Sequence, residues 1–161
     1  MSTATAVKTA SIEQEALSEG ELRAWQGLLR AHGCLSKQLD AVLEQVHSLQ
    51  GSSFTVLNHL DGVSGGRMRM CELAEQTQLS RSGLTRLADR LERDGLIERC
   101  SCEYDARGSY ACLTELGRER VLEARVTHRA VVRERFLSHF SEGELGMLAD
   151  MCERIAPCSG C

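Results

Sequence analysis

Residues 73–117 read LAEQTQLSRSGLTRLADRLERDGLIERCSCEYDARGSYACLTELG. This stretch holds two helices and a hairpin. Arg69 to Gln76 is expected as a short helix with Met70, Leu73 and Ala74 inward. Thr77-Gln78-Leu79 is a turn, and Ser80 is placed to cap a second helix that runs to Asp94 and stops at Gly95. Leu84, Leu87, Ala88 and Leu91 form its inward stripe; Arg81, Ser82, Thr85, Arg86, Asp89, Arg90 and Arg93 face out. Two helices joined by so short a turn, the second capped and arginine-rich, make a helix-turn-helix pattern. Leu96 to Cys102 then reads as a strand, Asp105 to Gly108 as a turn and Ser109 to Leu113 as the returning strand. A hairpin in that place is a wing, so the stretch predicts a winged helix.

The flanks are helical. Ser18-Glu19-Gly20-Glu21 is a capping box opening a long helix with Trp25, Leu28, Leu29, Leu35, Leu39, Val42, Leu43 and Val46 as its apolar stripe. Gly51-Ser52-Ser53 is expected to break it; Phe54 to Leu60 reads as a short buried helix and residues 61–66 as a loop. Thr114 caps a helix from Glu115 to about Ser138, and Ser141 to Glu144 form a second capping box ahead of a last helix ending near Ile155. The fold class expected is mainly α with a small β-hairpin wing: a winged helix-turn-helix domain plus a helical dimerisation domain. A first helix of some seven turns exceeds what one small core needs, which points to a second chain.

At 161 residues the chain is sized for one domain. No apolar run nears a membrane span and the N-terminus has no signal-peptide core, so no membrane partner and a cytoplasmic location are expected. By itself the net charge of −4 argues weakly against a nucleic-acid partner, because non-specific DNA affinity comes from cationic contacts. The distribution qualifies this: residues 67–108 carry eight basic and eight acidic side chains, and all eight cations are arginine. Arginine presents the planar fork that suits phosphates and guanine edges.

The run Asp105-Ala-Arg107-Gly-Ser-Tyr-Ala-Cys-Leu113-Thr114-Glu-Leu-Gly117 resembles the wing signature D-x-R-x5-L-T-x-x-G of the MarR family of bacterial regulators. Residues 73–99 resemble that family's recognition helix and its exit into the wing, and the likeness covers roughly residues 20–155. The resemblance implies a homodimer in which 18–50 and 114–155 form the dimerisation region and 51–113 the DNA-binding domain, with tails at 1–17 and 156–161. It implies double-stranded operator DNA of pseudo-palindromic sequence as partner, and a repressor released by a small-molecule effector, without catalysis, cofactor or metal. Asp105 would brace the wing.

Ser80, Arg81, Ser82, Thr85 and Arg86 are the residues expected to meet DNA from the recognition helix, and Arg107 from the wing. Arg90 and Arg93 could instead pair with Asp89, Glu92 or Asp94. Trp25, His32, Phe54 and His59 are candidates to line an effector pocket. Eight cysteines leave a second sensing chemistry open, thiol oxidation at Cys34, Cys152, Cys158 or Cys161. Without an export signal, disulfides are not expected. A zinc site of Cys100, Cys102 and Cys112 lacks a nearby fourth ligand. A winged helix that binds protein and no DNA is the third alternative.

Overall fold

The computed structural model describes residues 16–102 and 105–155, the side chains of 101–108 excepted. The described chain divides into two compact units, one ending at Cys34 and one beginning at Leu35. Helix α1, Glu19–His47, runs through both. At its start the Ser18 hydroxyl and backbone N–H both donate to the Glu21 carboxylate over 2.7 Å, so the expected capping box forms. In the first unit Leu22, Trp25, Leu28 and Leu29 are all exposed, Trp25 by 56%.

In the second unit, α1 ends where Ser48 takes a left-handed φ of 50°. Helix α2 is Gly51–Gly62. The glycine-serine run expected as the break is therefore the first turn of α2. A Cβ on Gly51 would stand 1.9 Å from an Asp40 carboxylate oxygen, so a larger residue there would have to turn that exposed side chain aside. Residues 61–66, expected as a loop, are the end of α2 and a 3-10 turn at Ser64–Gly66. Strand β1 follows, Arg67–Arg69, then α3, Met70–Gln76. Gln78, at φ 56°, turns the chain, and Leu79 N–H bonds back to the Ala74 carbonyl over 3.0 Å. Helix α4 is Arg81–Arg93, with β2 at Ile97–Cys102 and β3 at Asp105–Leu113. Helix α5 spans Glu115–Arg135, three residues short of expectation, before a 3-10 turn at Leu137–His139. Helix α6, Glu142–Ile155, opens on the second capping box: the Ser141 backbone and hydroxyl donate to Glu144 over 2.8 and 2.7 Å and hold its carboxyl below the usual carboxylate range.

The sheet order is β1-β3-β2, all antiparallel. Strand β1 was not foreseen, because three residues are too few to show an alternation. Register places Met68, Ile97, Ala111 and Leu113 on the inner face and Arg67, Arg69, Glu98, Cys100, Tyr110 and Cys112 on the outer one. The core gathers Leu57 and Leu60 of α2, Leu73 of α3, Leu84, Leu87 and Leu91 of α4, Ile97 and Ala111 of the sheet, and Val121 and Ala124 of α5. Helix α6 contributes no buried residue, and Met147, Met151 and Ile155 stand exposed on it. No helix among the described residues is long and apolar enough to cross a membrane.

Candidate nucleic-acid interface

Helix α4 offers its N-terminal end outward. The Ser80 hydroxyl accepts the Gly83 N–H at 3.1 Å, which satisfies one of the backbone donors that a helix start leaves open. Its Oγ lies 3.4 Å from the Ser82 hydroxyl. Thr85 donates its hydroxyl to the Arg81 carbonyl at 2.8 Å and keeps its oxygen lone pairs available. With Leu84, Leu87, Ala88 and Leu91 buried at spacings of three and four, Arg81, Ser82, Thr85 and Arg86 are left together on the solvent side. Arg86 and Arg90 both line a recess of about 240 Å³ that also includes Ser52 at the start of α2.

The arginines further along α4 are committed elsewhere. Arg90 donates to the buried Ser53 hydroxyl at 3.0 Å, and Arg93 to the Asp89 carbonyl at 3.2 Å. The acids of α4 are met from outside the helix: Arg99 on β2 pairs with Asp89 and, at 3.4 Å, with Glu92. Arg99 was missed in the sequence because its partners are seven and ten residues away, with a turn between. It joins the strand entering the wing to the recognition helix and offsets negative charge there.

The base of the wing is fixed by the L-T-x-x-G run. Thr114 accepts the Gly117 N–H at 3.0 Å and donates its hydroxyl to the Gly95 carbonyl at 2.7 Å. Its own N–H bonds the Leu96 carbonyl at 3.2 Å. A Cβ on Gly117 would lie 2.0 Å from the Leu96 carbonyl oxygen, so only glycine allows α5 this close to β2. Gly95 takes φ 72°, ending α4 and turning into β2.

The outer half of the wing differs from expectation. Asp105 to Gly108 belong to β3 and are not the turn. Ser101 pairs with Ser109, and the next pair is Cys102 with Asp105. Residues 106–108 therefore have no opposite number on β2 and form a bulge, with Arg107 at its middle. The side chains of Asp105 and Arg107 lie outside the described residues, and so does the expected bracing contact.

The effector candidates are not alike. Trp25 and His32 are exposed on the first unit. In the second unit Phe54 is buried and its ring stacks on His128, centroids 4.8 Å apart. Burial holds the His128 imidazole below its ordinary pKa. His59 is half-buried with Nδ1 2.9 Å from the Thr55 carbonyl. An apolar recess of about 160 Å³, lined by Leu35, Leu39, Val131, Val132, Arg135 and Phe136, includes none of the four.

Of the thiol candidates, Cys34 and Cys152 are exposed, and Cys158 and Cys161 lie outside the described residues. The expectation of no disulfide is corrected: Cys100 and Cys112 are bonded across β2 and β3. Strand pairing brings together cysteines twelve residues apart, which their sequence spacing alone does not indicate. The bond also takes two of the three sulfurs that a zinc site in the wing would have used.

The sequence model described as the MarR family matches residues 47–108. The HTH-type transcriptional repressor YetL of Bacillus subtilis is 27% identical over 128 residues, 76% of this chain and 77% of that protein. Among solved structures, AbsC, a MarR family transcriptional regulator from Streptomyces coelicolor, is 34% identical with a TM-score of 0.84, over 88% of this chain and 95% of AbsC. Sco3205, another such regulator from Streptomyces coelicolor, solved in complex with DNA, is 26% identical at a TM-score of 0.84, over 92% of this chain and 96% of its own. With AbsC alike at 34% identity over nearly the whole of both chains, this chain belongs to the MarR family of transcriptional regulators.

Proposed function

We propose that the chain is a homodimeric, sequence-specific repressor that leaves a pseudo-palindromic operator when a small-molecule effector binds. The observation that carries this is the capped end of α4, where Arg81, Ser82, Thr85 and Arg86 share one exposed face. Ser80 and Ser82 would take backbone phosphates, and Arg81 or Arg86 would read guanine edges. Arg107 would reach the minor groove from its bulge, with Asp105 bracing the wing. Residues 51–113 would act as the DNA-binding domain and 18–50 with 114–155 as the dimerisation region, leaving 1–17 and 156–161 as tails. Exposed apolar side chains on α1, α5 and α6 support that division, because a chain alone leaves them in water. The complex of Sco3205 with DNA and the name of YetL as a repressor support the partner and the direction of control. Trp25, His32, Phe54 and His59 are proposed for the effector site, and the cytoplasm for its location.

The test starts from a duplex selected out of a random-sequence pool. Arg86→Ala should erode discrimination between selected and scrambled duplex by about 1–3 kcal/mol. Arg107→Ala should weaken both alike and lower the salt slope by roughly 0.9. A pool that yields no preferred sequence, with salt-independent retention, would instead favour a winged helix that binds protein.

A further inference from the structure

We propose that Cys100 and Cys112 form a dithiol–disulfide pair on the outer face of the wing sheet that reacts with an anionic low-molecular-weight disulfide, and that closing the bond holds the wing in its DNA-binding shape. The second half rests on the DNA-binding reading above; the first stands without it.

The geometry is specific. The two Cα atoms are 6.3 Å apart, on neighbouring strands. Cys112 is opposite Glu98 and Cys100 opposite Tyr110, so the bond runs diagonally across the ladder. Both residues are half-buried, on the face away from Ile97, Ala111 and Leu113, where a small solute can reach them. On its other side Cys112 is in register with Arg67. The guanidinium groups of Arg67 and Arg69 lie 5.4 and 5.6 Å from the Tyr110 ring centroid, so two cations share this face with the sulfurs. Arg67, in register with Cys112, is the cation that favours negative charge on that sulfur and attracts an anionic reagent. Glu98 opposes this at both cysteines, being opposite Cys112 in register and holding its Oε1 3.9 Å from Cys100 Sγ, so the difference between the two rests on Arg67, which is in register with Cys112 alone. Cys112 is therefore the attacking thiol and Cys100 the resolving one.

In the forward step the Cys112 thiolate attacks one sulfur of R–S–S–R. A mixed disulfide forms and RS⁻ leaves, to be protonated by solvent. Cys100 loses its proton to solvent and attacks the Cys112 sulfur, expelling the second RS⁻. Two electrons pass to the external disulfide, which ends as two thiols. The new bond closes a loop over a sequence separation of 12, and that loop contains the bulge with Arg107. Open, the bulge samples more conformations and must be ordered when DNA binds; closed, much of that ordering is already done.

The full-length protein is reduced, then equilibrated with oxidised glutathione, an anionic disulfide, or with cystamine, a cationic one. Peptide mass mapping follows the Cys100–Cys112 bond, and fluorescence anisotropy follows the selected duplex. The bond should form severalfold faster with oxidised glutathione, and Arg67→Ala should remove that preference. The bonded form should bind the duplex roughly three- to tenfold tighter than the reduced form, as preorganisation predicts. Cys100→Ser and Cys112→Ser should each bind as the reduced protein does and ignore the oxidant. Absence of the bond while other cysteines are modified overturns the proposal. So does equal affinity of the two forms, or a response retained by both serine variants. A duplex bound by neither form overturns the DNA reading instead, and the peptide map then decides the dithiol by itself.

Discussion

Arg125 of α5 donates through Nη2 to the Asp61 carboxylate of α2 over 2.7 Å, and its Nε donates to the Asn58 side chain over 3.0 Å. Arg118 approaches the other Asp61 oxygen. One carboxylate, nearly buried, thus joins the helix leading into the winged helix to the helix leading out of it. Asp61→Ala removes the acceptor that the two arginines share and leaves Arg125 with Asn58 alone. Both arginines are partly exposed, so the expected loss is about 1–3 kcal/mol, below that of a fully buried pair. Denaturant melts of Asp61→Ala and Asp61→Asn would measure it, with the asparagine variant in between. A loss within error for both would mean that water replaces the carboxylate.

Gly117→Ala is a smaller change with a larger expected effect. Its Cβ would stand 2.0 Å from the Leu96 carbonyl oxygen and 2.9 Å from a Leu113 methyl carbon. The Leu96 carbonyl is backbone and cannot yield without moving the wing base, so a loss of about 3 kcal/mol or more is expected. Thermal unfolding would check it, and a near-native melting temperature would show that α5 can slide away from β2.

Met151→Glu tests association. Met151 is 48% exposed on a helix without a buried residue, so a lone chain should tolerate the charge. A dimer that buries the apolar side of α6 should not. Sedimentation equilibrium should give a folded monomer for the variant and a dimer for the wild type. A wild-type monomer would remove the dimer from the proposal, and a variant dimer of unchanged affinity would put its interface away from Met151.

His128 gives a pH dependence whose sign is fixed. Burial against Phe54 lowers its pKa in the folded chain from 6.5. The unfolded chain therefore takes up a proton first as pH falls, and stability drops in the window below 6.5. Above that value the contribution is constant. Melting temperature should fall between pH 7.5 and 5.5, and His128→Phe, which can keep a ring against Phe54, should flatten the fall. An equal fall in both proteins would assign it to other groups.

What could be read from the sequence was whatever a few neighbouring residues decide together. The α4 stripe, the Ser80 and Thr114 caps and both Ser-x-x-Glu boxes were legible because each is settled within one or two helical turns. The break between α1 and α2 was misplaced because the chain turns at Ser48, a serine in a left-handed conformation, and the glycine that suggested a break opens the next helix instead. Strand β1 exists only by pairing with residues 110–112, which no local pattern announces. Arg99 and the Cys100–Cys112 bond were missed for the same reason. On the candidate interface, the outward face of α4 follows from its period alone, while the place of Arg107 depends on a slip in register that no periodicity reveals.

The anchoring of the wing at Thr114, Gly95 and Gly117 has a consequence for how the protein can change. Strand register is set from the base outward, since the hydrogen bonds that define it begin at Leu96 and Leu113. Residues inserted or removed between Cys102 and Asp105 leave that origin in place, so the inner face of the sheet keeps its side chains. The length of the arm can thus change, and with it the reach of its outer end, while the core beneath it is left as it is. A regulator built this way can acquire a new target by lengthening one loop, without first having to regain a lost core.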